Sequence, residues 1–392
     1  MLTVERWSCP TAVTVGHGAT AAVLAQLGRG GRTVLVADAA LAERTREVGR
    51  ALGAARVLTV DAGWSGADTV REFARTLADE RCTALVGLGG GSVLDLVKLA
   101  SAAVADPRVP PLLEARAGRG GLILLPGASS AARPAGSPAT VLLPTTVGTG
   151  VEVSAVACLT TGRGKRLVSG GRLRPDLAVL DSANTATLPH RLVVEGVLEA
   201  LLRVLGSAIG TESGPAYADG EAAGLAGRLV ATGTELAGGR DDAEVRLAAS
   251  QLSAATHTGW ALVGRAPFAA KHWYLANELS TALGVRKMTA TATLLPAVWQ
   301  RIQGGDLRFG HPERLRTAWS WVHAAAPEHP AEPVPGIRSL LSAWDVRAVS
   351  GAAPQALDRA ARAAVESWGG RLPMLAGIDT ADARALYEQA CW

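Results

Sequence analysis

The residues best suited to chemistry fall in two short segments. In GLGGGSVLDLVK (87–98), Gly89, Gly90, Gly91 and Ser92 lie between an apolar run and a helical stretch. Glycines let a backbone approach a pyrophosphate, and a helix starting there offers it unpaired N–H groups and positive potential. Asp95 and Lys98, three apart, share one face of that helix and are candidates for catalytic work. In PTTVGTGVEVS (144–154), Thr145, Thr146 and Thr149 place hydroxyls among two glycines, which suits ribose and phosphate contacts. Of 39 basic residues only Lys98, Lys165, Lys271 and Lys287 are lysine. Each is a candidate for a position that needs a compact, titratable ammonium, with chance retention as the alternative.

The elements that must position these groups alternate in the first half of the chain. TVLVAD (33–38), ARVLTV (55–60), TALVGLGG (83–90), ATVLLPTT (139–146) and DLAVLD (176–181) read as strands. LAERTREVGRALG (41–53), ADTVREFARTLADE (67–80) and SVLDLVKLASAAV (92–104) read as helices, an alternation that predicts an α/β domain with a parallel sheet. Between 105 and 140 proline, glycine and serine predict a long loop or a small hairpin around GLILLP. After about residue 188 alanine- and leucine-rich segments with helical periodicity take over. The expected domains are therefore an α/β nucleotide-binding domain over 1–188 and an all-α catalytic domain over 189–392. Most of the tryptophans lie at or beyond position 260, as helical core or as an aromatic substrate cleft.

Bulk properties exclude several classes. A net charge of +4 with no basic stripe argues against a nucleic-acid partner. No apolar run approaches the ~18 residues of a membrane span, and MLTVERWSCPTAV lacks a basic start followed by an apolar run, so neither a membrane nor a signal peptide is expected. Cys9, Cys82, Cys158 and Cys391 are far apart, against a disulfide framework or zinc knuckle. A cytoplasmic homo-oligomer, a dimer, is the expected state.

GGGSxxDxxK followed about fifty residues later by PTTxGTGxEV resembles the iron-containing alcohol dehydrogenases and their cousin dehydroquinate synthase. RPDLAVLDSANTATLP (174–189) and, more weakly, the segment to TATLLPAV extend the resemblance to about residue 300. It implies the dehydroquinate synthase-like fold, with an active site in the cleft between the domains. It also implies that Gly89, Gly90, Gly91 and Ser92 hold the cofactor pyrophosphate, that Thr145, Thr146 and Thr149 line the adenine and ribose sites, and that Lys165 lies near the cofactor ribose. Asp38, at the end of its strand, would accept from the adenosine ribose and repel a 2′-phosphate, which favours NAD over NADP; the alternative for Asp38 is a helix N-cap.

The same resemblance exposes a break. Where the family carries an aspartate, a histidine four residues on and two further histidines as metal ligands, this chain has Glu199, Arg203, His272 and Met288. Glu199 and His272 are too few ligands for zinc or iron, and Arg203 has no lone pair and would repel a cation, so metal is not expected. Glu199 and Arg203, four apart on a helix, are expected to pair, as a structural ion pair or as fixed charge in the metal's place. Arg203 would then stabilise the developing alkoxide, with His272 as general base or as an ordinary core histidine. The resulting expectation is a metal-independent NAD(P)-dependent alcohol oxidoreductase acting on a small-molecule or peptide-terminal alcohol, possible in a natural-product pathway. A dehydroquinate-synthase-like cyclase, suggested by Glu199 and the cation at 203, and a non-catalytic homologue are the alternatives.

Overall fold

The computed structural model describes residues 9–27, 31–127 and 137–391. Two compact units emerge: Ser8–Val193 with Asp242–Ala254, and Val194–Asp241 with Ala255–Trp392.

The first unit carries a six-stranded, wholly parallel sheet. Its strands are β1 (Ala12–Val15), β2 (Thr33–Asp38), β3 (Arg56–Val60), β4 (Ala84–Gly89), β6 (Ala139–Pro144) and β9 (Leu177–Leu180), in the order β1-β9-β6-β4-β2-β3. A three-stranded sheet of β5 (Leu122–Leu124), β8 (Gly164–Ser169) and β7 (Val156–Thr161) accompanies it. The central strands are apolar throughout because helices cover both faces. Val34 and Val36 of β2 join one core cluster and Leu35 and Ala37 the other, as the two-residue period of a strand requires. The helices are α1 (Ala19–Leu27), α2 (Ala42–Leu52), α3 (Gly66–Asp79), α4 (Gly91–Ala105), α5 (Val109–Ala117) and the short α6 (Ser182–Thr185).

The remaining elements are helical: α7 (His190–Ile209), α8 (Ala216–Ala237), α9 (Ala243–Thr258), α10 (His272–Leu283), α11 (Lys287–Gln303), α12 (Pro312–Ala325), α13 (Pro333–Ala343), α14 (Pro354–Trp368) and α15 (Thr380–Cys391). Trp299, Trp319, Trp344 and Trp368 are buried among them as core. The start of α9 groups with the α/β unit. Arg246 donates to the carbonyl of Thr185, Glu244 bonds His17, and Ala254 packs with Val153, Ala178 and Leu180.

One local expectation is corrected, and one strand was not foreseen. The segment GLILLP is no hairpin of its own: β5 pairs in parallel with β8, and the hairpin is β7–β8, which carries Lys165 opposite Thr160. Strand β1 has too few residues to show an alternating pattern, yet it closes one edge of the main sheet against β9. Residues 128–136 of the expected loop and the first eight residues lie outside the described residues. Among the described residues no helix is long and apolar enough to cross a membrane.

Candidate active site

The two glycine-containing motifs meet because β4 and β6 are neighbours in the sheet, with Gly89 in register with Pro144. The amide of Thr145 donates to the carbonyl of Gly89 at 3.0 Å. A Cβ on Gly90 would stand 3.0 Å from Thr146 Cγ2, and one on Gly91 3.2 Å from Thr149 Cγ2. The glycines are thus the counterpart of the threonine turn as well as the start of a helix. Gly90 is the N-cap of α4 and offers no side chain to it, so the first amides of this 15-residue helix have no intrahelical acceptor. The second turn is held by α9, where Ser253 Oγ accepts from the amide of Gly148 at 3.0 Å. Gly148 and Gly150 both adopt positive φ, which a side chain would strain.

Other predicted cofactor residues have mixed placements. Ser92 Oγ donates to the carbonyl of Ala62 at 2.6 Å, so its hydroxyl proton is engaged inside the protein. Asp38 ends β2 and its Oδ1 accepts from the amide of Ala40, capping a short 3₁₀ turn. Lys165 is exposed on β8, between Arg163 and Arg166, whose side chains donate to the carbonyls of Gly118 and Ala117. Lys98 is almost wholly buried, and its ammonium donates to the carbonyls of Val151 (2.8 Å), Ser154 (2.9 Å) and Val156 (2.5 Å). Burial pushes its pKa below the usual lysine range against the pull of Asp95 and Glu152.

The helical unit gathers the other predicted residues around α7. Lys287, the first residue of α11, donates from Nζ to Glu199 Oε1 at 2.9 Å and lies 4.4 Å from the ring centre of Trp273. One turn earlier on α7, buried Glu195 accepts from Arg286 at 2.6–3.2 Å, so two adjacent ion pairs fix the start of α11 on α7. Arg203 Nη1 donates to Thr256 Oγ1 at 2.8 Å. His272 is buried; a Cβ on Gly206 of α7 would stand 2.6 Å from its Cε1, so glycine there admits the ring. Its Nε2 is enclosed without a hydrogen-bond partner. Burial first, and the Lys287 charge second, push its pKa down to about 3, which leaves a neutral imidazole. Helix α10 is held behind it by Trp368 Nε1 donating to Glu278 and by the Tyr387 hydroxyl donating to the carbonyl of Leu275. Met288 is buried beside Lys287, while Lys271 Nζ donates to the carbonyl of Pro373.

Sequence reasoning singled out Arg203 as the partner of Glu199 and placed Lys287 only beside a ligand position. The structure puts Lys287 on that carboxylate and adds Trp273, Thr256 and Ser253. A cation three residues beyond Gly284, at the start of a helix, was the one local signal for Lys287 that could have been read.

Residues 10–182 match the profile of the iron-containing alcohol dehydrogenase family. The NADPH-dependent aldehyde reductase YqhD of Escherichia coli is 26% identical over 300 residues, 74% of each chain. The structure of E. coli YqhD superposes with a TM-score of 0.81 at 22% identity, covering 99% of both chains. That of NADH-dependent butanol dehydrogenase A from Thermotoga maritima gives 0.78 at 19%, covering 99% of this chain and 98% of that one. Residues 10–182 thus carry the iron-containing alcohol dehydrogenase pattern, and the whole chain shares the fold of that superfamily's solved structures.

A metal of the kind named in that family is a poor match for the donors present here. Glu199 and His272 supply two good ligands, and one oxygen of Glu199 already accepts from an ammonium. Arg203 adds a second cation with no lone pair, and the Met288 thioether is a weak, soft donor. Among the described residues no three His, Cys, Asp or Glu side chains converge to hold an ion. A dinucleotide is a different case. The uncapped start of α4 and glycines that leave space only in the absence of a Cβ fit a pyrophosphate.

Proposed function

We propose that the chain is a dinucleotide-dependent oxidoreductase that interconverts an alcohol with its aldehyde or ketone. The interlock of Gly90 and Gly91 with Thr146 and Thr149 at the ends of neighbouring parallel strands carries this reading. The main-chain amides of Gly89, Gly90, Gly91 and Ser92 hold the pyrophosphate, and Thr145, Thr146 and Thr149 face the sugars and adenine. Lys165 serves the ribose, and Asp38 selects NAD over NADP through its second carboxylate oxygen. When bound, the nicotinamide supplies or accepts the hydride. Lys98 positions the stretch after the threonine turn, with Asp95 supporting its charge, and is not a proton-transfer group. In the helical unit, protein charge in place of a metal stabilises negative charge growing on the substrate oxygen, Arg203 contributing. His272, neutral and enclosed, packs on the ring of Trp273 at 4.4 Å between centres.

The names of YqhD and butanol dehydrogenase A support the alcohol–aldehyde class. The test is spectrophotometric: purified chain, NADH and NADPH separately, and aldehydes and ketones of increasing size. Net, reversible loss of reduced dinucleotide with an aldehyde is the expected result. Dinucleotide that binds and is always regenerated, with no net change in absorbance, would replace this reading with a cyclase.

A further inference from the structure

We infer that the Lys287 ammonium is the cation this site presents to the substrate oxygen, in the place where its relatives' family name implies a metal. The inference rests on the oxidoreductase reading above and names the group that does its electrostatic work.

Four observations carry it. Lys287 Nζ is 2.9 Å from Glu199 and 4.4 Å from the Trp273 ring centre. Both anchors restrict the ammonium without exhausting it, since it has three N–H donors and the aromatic face attracts it by its charge alone. The side chain remains 32% exposed, so a ligand can reach it. Lys287 also opens a 17-residue helix. A cation at a helix N-terminus opposes the helix dipole, where an acidic residue would be favoured by about 0.3–1 kcal/mol. The cost falls beside a second cation, Arg286, the N-cap of the same helix. Pinning α11 on α7 does not require it, since Arg286 and Glu195 already form a bidentate pair one turn away. Finally, the Trp273 ring that flanks the ammonium also packs on His272, with ring centres 4.4 Å apart, so a single aromatic side chain touches both.

In the reductive direction the hydride and its electron pair pass from the reduced dinucleotide to the carbonyl carbon. The C=O π pair moves onto oxygen, and a proton from water completes the alcohol. Lys287 stabilises the charge on that oxygen as it grows. It needs no change in its own protonation to do so.

The test compares Lys287→Ala and Lys287→Arg with the wild type, using the full chain, the best aldehyde found and fluorescence titration of the dinucleotide. Lys287→Ala should lower kcat by about 100- to 1,000-fold with dinucleotide affinity unchanged, and added ethylammonium should restore part of the rate. Lys287→Arg should keep more activity than Lys287→Ala. A structural ion pair predicts instead a lower unfolding midpoint, no rescue by the amine, and kcat within about threefold for the molecules still folded. Calorimetric titration with Zn²⁺ gives a readout independent of turnover. The wild type should show no stoichiometric site dependent on Glu199. One tight equivalent abolished by Glu199→Gln would overturn the inference even if the enzyme is active. A wild type that binds dinucleotide but turns over no alcohol or carbonyl compound would overturn the oxidoreductase reading and this one with it. An active wild type with a fully active Lys287→Ala overturns this one alone.

Discussion

Replacing Lys98 by methionine removes a charge while keeping the length of the side chain, and the structure sets the size of the effect. The ammonium donates to three main-chain carbonyls, those of Val151, Ser154 and Val156, in a region almost closed to water. A buried acceptor left unsatisfied costs ~1–3 kcal/mol, so three independent losses would sum to several kcal/mol. The three are not independent, since one ammonium serves them all, and methionine relieves the cost of burying a charge. The expected net destabilisation is about 3–5 kcal/mol, read as a fall in urea midpoint at constant slope. The segment it holds begins two residues after Thr149, so dinucleotide affinity should fall as well, measured at a temperature where the variant is folded. kcat at saturating dinucleotide should change little. A loss below about 1 kcal/mol would show that the carbonyls have other donors and that the clamp is misread. A thousandfold fall in kcat with stability intact would restore Lys98 to the catalytic residues.

Three further outcomes are expected. Gly90→Val, whose Cβ would stand 3.0 Å from Thr146 Cγ2, should abolish dinucleotide binding by calorimetry while costing ~1–3 kcal/mol of overpacking; unchanged affinity would remove the pyrophosphate from this turn. Asp38→Ala should narrow the NAD:NADP affinity ratio in a competition titration, whereas a loss of about 1 kcal/mol of stability with the ratio unmoved would make Asp38 a cap only. Asp219 of α8 is held below the usual carboxylate range, chiefly by its bonds to Arg314 and then by Arg265. A depressed folded pKa adds stability above the ordinary carboxylate pKa and loses it as pH falls through the folded value. Asp219→Asn should therefore be about 2–4 kcal/mol less stable at neutral pH, with the gap to wild type shrinking below about pH 4 in acid denaturation. A gap independent of pH would refute the pairing.

Much of the molecule was legible because its signals are local. The short, continuous apolar runs TVLVAD and ATVLLP and the glycines 89–91 before a helical pattern depend on neighbours within a few residues, and they made the α/β class and the candidate cofactor turn readable. The threonines of PTTVGTG were legible as polar groups in a turn, but their fit against the glycines was not, since that depends on β4 and β6 being adjacent in the sheet. Strand order, the pairing of β5 with β8 and the return of the start of α9 to the α/β unit have no signature in composition or period. The same holds for the candidate catalytic cluster. Glu199 and Arg203 were expected to pair because four residues apart on a helix is the nearest neighbourhood a sequence can see, and nothing that near could add Lys287 to the same carboxylate. Lys287 reaches Glu199 across 88 positions, and Ser253 reaches Gly148 across 105. Only the packing of α10 and α11 against α7 decided that an ammonium sits on that carboxylate and that His272 is buried as a neutral ring. Both are properties of distance and desolvation, which arise when remote helices close on one another.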